Sequence, residues 1–117
     1  MEVRDATEAD LPQLLAIYNQ AIRETTASWD LTEWDEPTHR QWYDAKLAAG
    51  DPVLVADEAG EILGFAAWGP FRAKAGYAAT REHSVYVRTD AHRRGIGRAL
   101  LEAVIARAYQ AGIHVLI

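Results

Sequence analysis

The sequence predicts a mixed α/β domain, and three observations carry that reading. Leu11, Leu14, Leu15, Tyr18 and Ile22 recur at helical spacing. Two short apolar runs, residues 52–57 and 61–68, flank the turn-forming Glu58-Ala59-Gly60. An alternating strand over residues 81–88 leads into a glycine-containing turn and then a long amphipathic stretch. The chain has 117 residues, half of them hydrophobic, which suffices for one domain with a real core, spanning 1–117, and not for two.

Taken in order, Val3 to Ala6 reads as a short strand. Thr7-Glu8-Ala9-Asp10 is a capping box with Asp where Glu or Gln is usual, so a helix is expected from about residue 8 to 24. Residues 25–36 are polar and acidic, with Trp29 and Trp34 inserted; aromatics so placed belong to a satellite core, an interface or a pocket wall. Pro37-Thr38 opens a second helix and Ala49-Gly50 closes it. The hairpin of 52–57 and 61–68 follows, then a loop from Gly69 to Thr80 holding Pro70 and Gly76. A strand is expected over Arg81 to Arg88 and a helix over Gly95 to Gln110, with Gly112 as its cap. Ile113 to Ile117 begins another strand, giving the order βααβββαβ. That last run is apolar on both faces, like a strand with neighbours on both sides. The expectation is therefore a chain that continues in a longer polypeptide, or a second chain that covers this strand.

Composition narrows the function. There is no cysteine, so disulfides and thiolate metal sites are excluded. His39, His83, His92 and His114 lack metal-binding spacing, and no metal is expected. No apolar run approaches the roughly 20 residues that span a bilayer, and the N-terminus lacks a signal-peptide pattern. A cytoplasmic protein without membrane partners is expected. Net charge is −5, which argues against nucleic acid. The charge is polarised: residues 1–71 carry 4 Lys/Arg and 14 Asp/Glu, residues 72–117 carry 8 and 3.

The basic part contains the most informative stretch. Strand, Gly-x-Gly turn and helix start together make an anion site: glycines let the backbone approach, unpaired N–H groups point outward, and the helix dipole favours negative charge. A pyrophosphate fits it. Arg93, Arg94 and Arg98 stand at that helix start, where cations oppose the dipole by about 0.3–1 kcal/mol each, a penalty an arriving polyanion offsets. Their plain alternative is a solvated helix start. Val85 and Val87 read as core. Glu82, on the residues alone, is a surface carboxylate on a strand. A Ser-His-Glu relay among Glu82, His83 and Ser84 is excluded, because neighbours on a strand point to opposite faces. Arg72 and Lys74 form either a basic surface loop or a site for a carboxylate and a second polar group.

Several stretches in this order are shared with one family: Ile17-Tyr18-Asn19, Ala27-Ser28-Trp29, Gly64-Phe65-Ala66, Pro70-Phe71-Arg72-Ala73-Lys74, Tyr77, Glu82 to Val87, and His92 to Leu101. Together they resemble the GNAT superfamily of acetyl-CoA-dependent N-acetyltransferases, and within it the phosphinothricin and methionine-sulfoximine acetyltransferases. The resemblance covers the whole chain. It implies a mostly antiparallel central sheet flanked by helices, C-terminally incomplete here, since members continue through a helix and two more strands. Those elements usually carry an asparagine near the cofactor and a tyrosine that protonates the leaving thiolate. His92 stands where the family's turn usually has Gln or Arg.

The resemblance implies acetyl transfer from acetyl-CoA to the amine of a small amino-acid-like substrate, in a homodimer. It assigns Glu82 as general base, and the turn Arg93, Arg94, Gly95, Ile96, Gly97 and Arg98 to the pyrophosphate. The backbone of Val85, Tyr86 and Val87 would pair with the pantetheine arm, with the Val85 N–H facing the oxyanion. Arg72, Ala73, Lys74, Glu82, His83 and Ser84 would line the substrate pocket. Two other readings share features with this one. A non-catalytic acyl-CoA-binding module would have the same turn and no turnover. A dinucleotide-binding domain would also place Gly95-Ile96-Gly97 between strand and helix. Position 100 is Leu where that motif has its third glycine, and the turn comes late in the chain.

Overall fold

The computed structural model describes residues 1–24, 32–70, 80–92, 94–113 and 115–116. Its elements are β1 (Glu2–Asp5), α1 (Leu11–Glu24), α2 (Glu36–Ala49), β2 (Val53–Glu58), β3 (Glu61–Pro70), β4 (Thr80–Val87), α3 (Ile96–Gln110) and β5 (Val115–Leu116). The expected order βααβββαβ is the observed one. The strands make one sheet in the order β1-β2-β3-β4-β5, antiparallel except for the β4–β5 pair. β5, expected between two neighbours, stands at the edge of that order beside β4.

Local chemistry sets the element ends. The first helix begins later than its pattern suggests, because Glu8–Asp10 form a single tighter turn before α1. The Asp10 carboxylate accepts the Thr7 N–H at 2.8 Å and the Thr7 hydroxyl at 3.1 Å, so the Asp version of the capping box works. Arg4 of β1 reaches the same carboxylate with two N–H groups at 2.8 and 3.0 Å, tying strand to helix. Asp35 caps α2 through the Thr38 N–H at 2.9 Å. α3 ends at Gln110 as expected, but its cap lies one residue earlier than expected. Ala111 is the cap and Gly112, at φ 73°, is the residue after it. Its N–H bonds back to Tyr109 while Ile113 bonds to Ala108, closing the helix as a Schellman motif.

Two cores lie on the two faces of the sheet. Leu54, Ala56, Leu63, Ala66 and Trp68 pack against Ile96, Leu100, Val104 and Ala108 of α3. Val53, Val55, Ile62, Phe65 and Ala67 pack against Leu11, Leu14 and Ile17 of α1 and Tyr43 of α2. Strict alternation would put Leu63 with Phe65. The register slips between the Ala56–Gly64 and Asp57–Ile62 pairs, and the extra residue turns Leu63 to the α3 face and Ile62 to the other.

Candidate active site

β4 separates two concave regions. Its register against β3 pairs Glu82 with Gly69, Ser84 with Ala67 and Tyr86 with Phe65, all pointing to the face covered by α1 and α2. Val85 and Val87 point to the α3 face.

On the α3 side, a groove of about 390 Å³ runs between the end of β4 and the start of α3, lined by Val85, Val87, Ala91, His92, Gly95, Ile96, Gly97 and Arg98. Gly95 caps the helix at φ 77°, a left-handed conformation that suits glycine, and contributes no side-chain acceptor. The first intrahelical bond is donated by Ala99 to the Gly95 carbonyl, so the N–H groups of Ile96, Gly97 and Arg98 have no partner within the helix. Gly97 lies against Val87, where an added Cβ would make an ordinary contact with the Val87 Cγ2 at 3.6 Å. Ile96 and Leu100, fully buried, fix the helix start on the sheet. His92, the departure from the family pattern, holds its Nε2 at 3.1 Å from the Val87 carbonyl and binds the turn to the strand end.

Two of the turn's three arginines are described, and both sit in exposed ion pairs. Arg94 pairs with both Glu58 oxygens at 2.9 and 3.0 Å, holding that carboxyl below its usual range. Arg98 pairs with Glu102 at 3.0 Å. Exposed pairs of this kind contribute about 0–1 kcal/mol, so a phosphate can draw either guanidinium away. Arg93 lies outside the described residues.

The edge of β4 beside this groove is open. β5 pairs only with Thr80 and Arg81, and among the described residues no strand pairs that edge beyond them. The Arg88 N–H donates across to Leu63 O at 2.9 Å, so by alternation the main-chain groups of Val87 and Val85 point to the open edge. Tyr86, grouped with them by the resemblance, is placed differently: the same alternation turns its backbone toward β3.

On the other side a cavity of about 300 Å³ is walled by aromatic rings. Tyr18 lies 4.6 Å from Trp34 and 5.5 Å from Tyr86, and Tyr86 stacks on Phe65 at 5.1 Å. Asn19 fixes Trp34 by bonding both its N–H and its carbonyl at 2.9 Å. α2 adds His39, Trp42 and Lys46, on one face at spacings of three and four. His39 is 3 % exposed, stacks on Trp42 at 5.3 Å, and its Nε2 has no hydrogen-bond partner among the described residues. Burial pushes its pKa below 6.5. Lys46 donates to the Trp68 carbonyl at 2.8 Å, and burial lowers its pKa while Asp51 partly opposes the shift. Glu82 and Ser84 open into this cavity and are themselves exposed. His83, expected in the pocket, is on the other face of the strand and is not among the cavity's lining residues. Arg72, Ala73 and Lys74 lie outside the described residues, as does Trp29.

Sequence reasoning missed Tyr18, His39, Trp42 and Lys46 as cavity residues. The three on α2 read as an ordinary helix face, and only their shared stripe pointed toward a site. Among the described residues no cluster of His, Asp or Glu could hold a metal.

The acetyltransferase (GNAT) family profile matches residues 14–117. The chain is 49 % identical over 116 residues to the L-methionine sulfoximine/L-methionine sulfone acetyltransferase of Pseudomonas paraeruginosa, covering 98 % of this chain and 67 % of that one. It is 40 % identical to a phosphinothricin N-acetyltransferase of Alcaligenes faecalis, covering 90 % of this chain and 53 % of the relative. The structure of yncA, a putative acetyltransferase from Salmonella typhimurium solved with its cofactor acetyl-CoA, superposes with a TM-score of 0.94 at 39 % identity, covering 99 % of this chain and 67 % of that one.

Proposed function

The chain belongs to the acetyltransferase (GNAT) family, and from that premise we propose that it moves the acetyl group of acetyl-CoA to the amine of a small amino acid of the methionine-sulfoximine, methionine-sulfone or phosphinothricin type. One observation carries the reading. A single strand presents a carboxylate, Glu82, to an aromatic-walled cavity and, three residues on, outward-facing main-chain groups to a groove ending at a glycine-capped helix start. Three residues of strand span about 10 Å, so an amine in the cavity and a thioester on the strand edge can meet.

In this reading the N–H groups of Ile96, Gly97 and Arg98 hold the pyrophosphate, with Arg93, Arg94 and Arg98 on phosphate oxygens. The outward groups of Val85 and Val87 bond the pantetheine arm as an added strand would. Glu82 takes a proton from the ammonium, directly or through one water. The freed lone pair attacks the thioester carbonyl carbon, and the Val85 N–H stabilises the oxyanion that forms. The oxyanion collapses, the C–S bond breaks, and the departing thiolate takes up the second nitrogen proton, directly or through water, so coenzyme A leaves as its thiol. Arg72 and Lys74 contact polar groups of the substrate, and the active assembly is a homodimer.

The test is acetyl transfer from acetyl-CoA to methionine sulfone, followed by thiol release. Glu82→Gln is expected to lower the rate at neutral pH by about 10²–10⁴ with acetyl-CoA affinity unchanged. An unaltered rate across the pH profile removes Glu82 from the mechanism. Arg72→Ala and Lys74→Ala should raise KM more than they lower kcat, and sedimentation checks the dimer.

A further inference from the structure

The cavity contains a cation of its own. Lys46 reaches from α2 to the sheet, where its Nζ stands 2.6 Å from the position a Cβ on Gly69 would take. Gly69 is the direct cross-strand partner of Glu82. Cross-strand partners have their Cβ positions about 4.5–5.5 Å apart on one face. The ammonium therefore fills the place beside Glu82 that a side chain at residue 69 would occupy. One of its three donors goes to Trp68 O, and it makes no ion pair among the described residues.

We propose that Lys46 takes the α-carboxylate of the substrate beside Glu82 and so points the substrate's side chain toward the aromatic end of the cavity. The proposal rests on the acetyltransferase reading above and adds the residue that selects an α-amino acid over a simple amine. The chemistry is direct. In an α-amino acid, amine and carboxylate share one carbon, so a cation for the carboxylate belongs next to the base for the amine. The rings of Trp42, Phe65 and Tyr86 then meet the methylenes of the side chain. His39 lies seven residues before Lys46, about 10 Å away along the helix by its 1.5 Å rise. His39 lines the same cavity, and its buried Nε2, unpartnered among the described residues, suits a side chain that ends in a hydrogen-bonding atom.

Trp34 and Trp42 line the cavity, so ligand entry can be followed by tryptophan fluorescence without turnover. The probes are methionine sulfone, its carboxamide, and the amine left when the carboxylate is removed. The parent chain should bind the acid about 10- to 100-fold more tightly than either analogue, the range of one charged hydrogen-bonded contact. Lys46→Met should lose that preference while still binding the amine, and Lys46→Arg should keep most of it. A Lys46→Met chain that still prefers the acid overturns the proposal, and so does a parent that is indifferent between acid and carboxamide. The second comparison needs no variant to fold. Acetyl-CoA turnover runs in parallel: if the parent prefers the acid and acetylates none of the three probes, the acetyltransferase reading fails while the role of Lys46 stands.

Discussion

Gly64 and Gly95 show two different reasons for a missing side chain. A Cβ on Gly64 would lie 2.7 Å from the Tyr86 carbonyl and 3.1 Å from Leu100, both in place to form the site. Gly64→Ala should cost about 1–3 kcal/mol of stability, read as a lower urea midpoint, because backbone and not a flexible side chain must yield. Gly95 has open space around it and a φ of 77°. Gly95→Ala should cost about 1 kcal/mol through conformation alone, and Gly95→Asn should recover part of it, a rescue unavailable at position 64. His39 adds a pH dependence. Its folded pKa lies below 6.5 because burial opposes the charge, so below that value the unfolded chain binds the extra proton first. Stability should fall as pH drops from about 6.5 toward the folded value, and His39→Phe should remove that component from urea midpoints measured at pH 7.5 and 5.5. Of these, the glycine turn at Gly95 was visible from residue type, while the crowding at Gly64 and the burial of His39 were not. The sequence marks His39 as a histidine on a helix; only the fold buries it among rings.

Elements were the most legible level, because their signals are local. Thr7 and Asp10 announce the start of α1, and the same carboxylate receives Arg4 from β1. That partnership holds the Asp10 carboxyl below its usual value. Its contribution is fully present above about pH 4 and is lost as pH falls through the lower folded value. Asp10→Asn should therefore destabilise the chain by about 2 kcal/mol at pH 7, and the gap to the parent should narrow at pH 3. The sequence could not announce Arg4, which arrives from another element and also reaches Asp57 at 3.1 Å. The bulge that turns Leu63 over was equally hidden, since a run such as Glu61 to Trp68 is apolar at most positions in either register. The start of α3 was readable to within one residue: the glycine turn leads into a helix that begins at Ile96, with Arg94 and Arg98 beside that start. Gly97→Asp places a side chain and a negative charge there. It should abolish acetyl-CoA binding, and unimpaired binding would refute the phosphate site.

Across the whole molecule, β4 acts as a partition, with aromatic cavity and anion groove on opposite faces. Damage should then stay on one side. Gly97→Asp should leave the fluorescence response to methionine sulfone intact, and Glu82→Gln should leave acetyl-CoA affinity intact. A loss of both ligands from either change would mean that the two regions are not separable. The sequence gives the alternation that sorts Val85 and Val87 from Glu82, Ser84 and Tyr86, but not what covers each face. Alternation already sets His83 opposite Glu82 and Ser84, and only the resemblance put it in their pocket; which helix lies over which side is decided by the whole chain, so the stripe on α2 could not be tied to the cavity from sequence. The half-open edge of β4 has one more consequence, in isotope exchange. The amides of Val85 and Val87 face no strand among the described residues, while those of Ser84 and Tyr86 face β3. In deuterated water, alternate amides along one strand should exchange quickly and slowly in turn. Acetyl-CoA, by completing the ladder, should slow the fast set and leave the slow set as it was.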